Sequence, residues 1–291
     1  MTRRLGMLFP LLGLAVFAFS QSPGASATAN DPANFNMSDV AITPKRLIFE
    51  GRTRAAEVNL ANQSDKTITY DISFLHLRMN GDGSLQEVSD AGGGEVFADA
   101  LLRYSPRRVV LAPRQTQSVR FQLRRPEGLA DGEYRTHVVI RVVPTVADSA
   151  AKAGAAEDTA VSVKLVPVYG VAIPVFVRQG QLAASARLSN IAVSDPAGGA
   201  PTMSFQIDRE GGRSVYGNLQ VELIRGIRAP LVVGKLNGVA VYPPLASRPL
   251  SMPLELPKGL QIHGATFRLR FVGAEDEDNP VTLATAQVIT P

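Results

Sequence analysis

The 291-residue chain has no cysteine and no tryptophan. Without cysteine there can be no disulfide framework, thiol nucleophile or Cys-ligated metal. Aromatic residues make up only 6% against 45% hydrophobic, so a core must be built from Val, Leu, Ile and Phe. Histidine is scarce too: His76, His137 and His263 stand at no metal-ligand spacing. His76 and His137 fall at alternating positions of strand-like runs and read as ordinary half-exposed residues. No Gly-x-Ser-x-Gly elbow, His-Glu-x-x-His pair or phosphate-cradling glycine loop occurs. Asn80-Gly-Asp-Gly-Ser-Leu lacks the sixth-position glycine of a calcium loop and reads as a hairpin, and Glu275–Asp278 reads as a solvated acidic turn. Neither an enzyme, a metal site nor a cofactor is expected.

Charge excludes further classes. The formal net charge of +4 falls to +2 if Arg3 and Arg4 are removed, and the basic residues are dispersed rather than striped, which gives no nucleic-acid footprint. Those two arginines open a basic start followed by the apolar stretch Leu5–Phe19 and Ala25-Ser26-Ala27, the layout of a cleaved secretory signal over 1–27. No other window is long and apolar enough for a helical span, so no membrane span is expected after cleavage. A retained N-terminal anchor is the alternative.

What is abundant is alternation. Ala56, Val58 and Leu60 alternate with Glu57 and Asn59, and Asn62-Gln-Ser-Asp-Lys then turns the chain. Ile68, Tyr70, Ile72 and Phe74 follow, with a phase slip at Leu75, Leu77 and Met79 that implies a bulge or a change of face. Val109–Leu111, Val119–Leu123 and Tyr134–Val142 continue the pattern. The second half repeats it at Met203–Ile207, Leu219–Leu223, Leu250–Leu256, Phe267–Phe271 and Leu283–Val288. Short strands between turn signals predict an all-β chain of two sandwiches, over 28–180 and 181–291. Residues 145–160 are small and polar and read as a mobile loop, with a short Ala-rich helix as the alternative.

The longest alternation runs over 161–178. Every odd position from Val161 to Val177 is apolar, including Val163, Leu165, Tyr169, Ile173 and Val175. As one strand it would reach ~55 Å, several times the usual length. Pro167 and Pro174 lack the ladder N–H, so part of it should be an edge. An apolar unpaired edge invites association unless a partner is meant to use it. A strand that spans a domain junction, lending half of itself to each core, is the plainer reading.

Lys45-Arg-Leu-Ile-Phe-Glu-Gly51, Val58-x-Leu-x-Asn62, Ser105-Pro-Arg-Arg-Val-Val-Leu-Ala-Pro113, Val119-Arg-Phe, Gly132-Glu-Tyr-Arg135 and Ile173-Pro-Val-Phe176 occur in this order. Together they resemble the periplasmic pilus (fimbrial) chaperone family over about 38–180, while Arg213-Ser-Val-Tyr-Gly217 carries the likeness into the second half. Ile-Pro with a following Phe is closer to the archaic branch of that family. The resemblance implies two immunoglobulin-like sandwiches in a boomerang, a periplasmic location, and pilin or fimbrial subunits and an outer-membrane usher as partners. It also implies strand donation to the subunit, for which Val161, Val163, Leu165 and Tyr169 are the expected inserted residues, with Val171–Val177 kept in the chaperone's own core. Family members hold the subunit's C-terminal carboxylate with basic residues. Arg46 falls where well-known members carry an arginine, Arg135 is the second candidate and Arg120 a third. Where those members place a lysine late in the long strand, this chain reads Ile173-Pro174-Val175.

Two other functions fit two sandwiches. A structural or adhesive subunit of a surface fibre would itself need a partner's strand, whereas here the alternating strand is internal and follows a full set. A carbohydrate-binding module generally uses exposed aromatics, in which this chain is poor.

Overall fold

Alternating apolar residues have only one way to leave water together, by pairing as strands and stacking the sheets they make. The computed structural model describes residues 39–144, 168–195, 200–257, 259–260, 262–274 and 280–291, all within the one compact unit Phe35–Pro291. Among them the regular elements are strands, with a 3-10 turn at Asp99–Leu101.

The first sandwich packs two sheets. One has the order β1 (Val40–Thr43), β3 (Ala55–Asn62), β9 (Thr116–Leu123), β7 (Leu102–Ser105). The other has the order β2 (Leu47–Phe49), β11 (Gly170–Gln179), β10 (Gly132–Val142), β4 (Ile68–Leu75), β8 (Arg108–Leu111). Phe49, Leu60, Tyr70, Phe121, Val175 and Val177 fill the space between them. Asn62 closes the β3–β4 turn as the sequence predicts: its Oδ1 accepts the Ser64 N–H at 3.0 Å, and its Nδ2 donates to the Lys66 carbonyl at 2.7 Å. The phase slip marks a change of element. Strand β4 ends at Leu75, and Leu77–Met79 (β5) pairs with Leu85–Glu87 (β6) as a hairpin over the Asn80–Ser84 turn.

The second sandwich stacks β12 (Ala184–Ser194), β13 (Thr202–Gly211) and β16 (Ser247–Pro253) on β15 (Arg228–Val241), β14 (Val215–Arg225), β17 (Thr266–Gly273) and β18 (Thr282–Ile289). Met203, Ile207, Leu219, Val221, Phe267 and Phe271 make its core. Strands β12 and β15 are absent from the sequence-based reading, for a physical reason. Alanine and serine dilute the alternation in β12, and register shifts between β14 and β15 break the period of two in β15. The all-β class with two sandwiches is as expected.

Of the long strand, the described part is β11. Val161, Val163 and Leu165 lie outside the described residues, as do 1–38. Strand β11 pairs with β10 along its whole length, from Gly170↔Arg141 to Gln179↔Gly132. On its other side β2 pairs with it in parallel over Val175–Val177 alone, among the described residues. Residues Gly170–Pro174 therefore form an edge, and Pro174 sits within it, where a missing N–H is least costly. Ile173, Val175 and Val177 are buried in the first core.

Candidate functional site

In a strand already paired on one side, the outward N–H and C=O groups are open to a further strand. Among the described residues, that is the condition of β11 over Gly170–Pro174. At its N-terminal end Tyr169 is 39% exposed, and its carbonyl accepts the Val142 N–H at 2.9 Å. At the other end the vacancy stops abruptly, because β2 takes up the next ladder positions from Leu47↔Val175 onward. Arg46 is the residue before Leu47 and, in register, stands beside Pro174.

Arg46 is half-buried. Its guanidinium carbon lies 3.7 Å from the Tyr216 ring centroid and 4.7 Å from that of Phe176. Both are within cation–π range, and a planar guanidinium stacks well on such faces. Phe176 belongs to β11 and Tyr216 to β14, so the rings come from different sandwiches. Phe176, Ala240 and Tyr242 form a small buried cluster there, joined by Ile48, Met79 and Tyr216. This explains why Val239–Tyr242 are buried at four consecutive positions. Val239 and Val241 face their own core, while Ala240 and Tyr242 face the first sandwich.

The same logic applies to the outward residues of β10 and β11. Arg178 and Glu133 have side chains only 1% exposed and meet at 3.0 Å, Nε donating to Oε2. Glu133 also accepts the Ser214 N–H at 2.9 Å and the Ser214 hydroxyl at 3.0 Å, across the junction of the sandwiches. Arg178 Nη1 donates to Glu50 at 3.1 Å. Sequence reasoning missed this network. Its signal was available, since Glu133, Arg178 and Ser214 are charged or polar residues within or beside strongly apolar strands.

Arg135 lies under the surface at 6% exposure. It donates to the carbonyls of Pro243 at 3.2 Å and Leu77 at 3.3 Å, stacks on Tyr242 at 4.5 Å, and has Glu95 at 3.8 Å. Burial pushes its pKa down, against the pull of Tyr242, Glu95 and Glu133. An incoming carboxylate would have to displace those carbonyls from Arg135, which is more deeply buried than Arg46. Arg120 is on β9, in the sheet that does not contain β11, exposed on its outward face opposite Glu57 and Ser105.

His137 corrects an expectation. It is 2% exposed, because the β10 face it shares with Arg135 is covered rather than solvated. Burial, with Arg135, Arg46 and His76 adding repulsion, pushes its pKa down to about 3. The folded protein therefore keeps this imidazole neutral where the unfolded chain, near 6.5, takes up a proton. Stability carried by the neutral ring is complete above pH 6.5 and falls as the pH drops towards 3, by up to about 1.4 kcal/mol per pH unit. Urea denaturation at pH 7 and pH 5 should show a loss of roughly 2 kcal/mol attributable to this group, absent from His137→Gln. An unchanged pH dependence in the variant would disprove the assignment. Among the described residues no group of three His, Asp or Glu is gathered as a metal site.

No family model matches the sequence, and no curated protein matches it. Several solved structures are similar. The class 5 fimbriae chaperone CfaA is 12% identical, with 87% of this chain and 99% of that chain covered at a TM-score of 0.42. The CupB2 chaperone of Pseudomonas aeruginosa is 14% identical, covering 86% and 100% at 0.43. The periplasmic chaperone SfaE is 13% identical, covering 86% and 98% at 0.40.

Proposed function

We propose that this chain is a periplasmic chaperone that binds pilin subunits by lending them a strand and hands them to an outer-membrane usher for fibre assembly. The observation that carries this reading is the edge of β11, which among the described residues is paired on its second side only from Val175 onward, where β2 begins beside Arg46. A strand added beside Gly170–Pro174 cannot continue past Pro174, because β2 occupies the following positions. Its terminus, not its middle, must lie at Arg46. Laid parallel to β11, it brings its C-terminal carboxylate there. Laid antiparallel, it brings an ammonium group that a guanidinium repels. Charge and sterics together select a parallel strand ending in a free carboxylate, held by the planar fork of Arg46.

Donation needs side chains as well as ladder bonds. Were β11 to run on as one extended strand, its period of two would put Val161, Val163, Leu165 and Tyr169 on the face that reaches the first core at Ile173. Fully burying each is worth roughly 1.5–3 kcal/mol, enough for tight binding after ordering costs are met. Ile173-Pro174-Val175 stands where well-known members of that family carry a late lysine, and with Phe176 it resembles the archaic branch instead.

Replacing Val163 and Leu165 with serine should remove small secreted β-rich subunits from the material that co-purifies from a periplasmic extract, with mass spectrometry as the readout. The thermal midpoint should stay within a few degrees. Undiminished recovery, from cells shown to be making fibres, would overturn the proposal.

A further inference from the structure

We infer that Tyr216 is the positioning residue for the Arg46 guanidinium, so that the carboxylate anchor is assembled from both sandwiches and exists only while they are docked. The inference rests on the function proposed above and concerns how its site is built.

An arginine ahead of a three-residue strand has a long, flexible stem, and ordering it costs conformational entropy. Here its guanidinium carbon lies over two rings, Tyr216 at 3.7 Å and Phe176 at 4.7 Å, which restrict where the fork can sit. Stacking uses the faces of the group. A carboxylate binds in its plane, at the edge, by two parallel charge-assisted bonds. The rings therefore orient the fork without competing for its donors.

Tyr216 is itself placed from two directions. Strand β14 is interior to its sheet, with β15 on one side and β17 on the other. The Tyr216 carbonyl accepts the Ala274 N–H at 3.2 Å. Two residues earlier Ser214 donates twice to the buried carboxylate of Glu133. A period of two puts Ser214 and Tyr216 on one face and Val215, 4% exposed, in the core of the second sandwich. One tripeptide thus both fastens the second sandwich to β10 and delivers the ring to Arg46. Separating the sandwiches would remove the nearer ring and release the fork.

The test uses the full chain and two fluorescent probes, an alternating Val/Thr decapeptide as the free acid and the same peptide as its C-terminal amide. Anisotropy titrations of the native protein should give an affinity about tenfold or more higher for the acid. Tyr216→Leu should reduce that preference to about twofold or less while its amide affinity stays unchanged, and Tyr216→Phe should restore the tenfold preference. Tyr216→Leu with its acid preference intact would overturn the inference and leave the anchor standing. Equal losses for acid and amide would make Tyr216 merely structural and also overturn it. A native protein without acid preference would remove the Arg46 anchor, and this inference with it.

Discussion

Replacing Glu133 with alanine is expected to destabilise the protein by about 3–5 kcal/mol, the usual cost of orphaning one member of a buried ion pair. Its carboxylate takes Arg178 Nε at 3.0 Å and two donors from Ser214, and both charged side chains are 1% exposed. Without it, Arg178 loses its fully buried carboxylate partner and keeps Glu50, whose side chain is 48% exposed. The two Ser214 donors lose their acceptor in the same step. Replacing Glu133 and Arg178 together by methionine should cost less than either truncation alone, because no buried charge is then left uncompensated. The urea midpoint, converted with the slope of each transition, reads both results. A loss of less than about 1 kcal/mol for Glu133→Ala would mean that water solvates the pair as it would at an open surface.

This network also marks the limit of what could be read without coordinates. A period of two says which side chains share a face of a strand. It does not say what covers that face. Val58, Leu60, Val119 and Phe121 were legible as core because both neighbouring strands of their sheet show the same alternation. The outward face of β10 and β11 was not, since its cover comes from Ser214, Tyr216, Ala240 and Tyr242, far along the chain. His137 and Arg135 were accordingly read as half-exposed and as an accessible anchor, and both are buried.

Arg46 was singled out by the resemblance of Lys45–Gly51 to the chaperone family, and Tyr169 by the alternation of the long strand. A strand with Pro174 is expected to be an edge for part of its length, and β2 pairs with it only from Val175 onward among the described residues. The alternation of Val161–Leu165 was equally plain, though those residues lie outside the described part of the chain. Tyr216 was visible only as one letter of Arg213-Ser-Val-Tyr-Gly217. Its meaning depends on the 3.7 Å approach to a residue of the other sandwich, which no spacing within the motif encodes.

Reversing the charge at this point, Arg46→Glu, is expected to abolish recovery of subunits, a fall of at least about a hundredfold, while the protein stays folded. Truncating one partner of a desolvated charge pair at an interface costs about 2–5 kcal/mol, and here a like charge replaces it. The folded state loses two stacking contacts of about 1 kcal/mol each from a half-buried side chain, which a protein of this size can sustain. Arg46→Lys separates charge from geometry. An ammonium keeps the sign but cannot form the bidentate fork, so recovery should fall only partway. Normal recovery with Arg46→Glu, measured beside an unchanged thermal midpoint, would remove Arg46 from the site. The direction of the effect matters more than its size. Only a strand that ends in a free carboxylate beside Pro174 should be sensitive to the sign of this one charge, because any strand running on past that point meets β2 first.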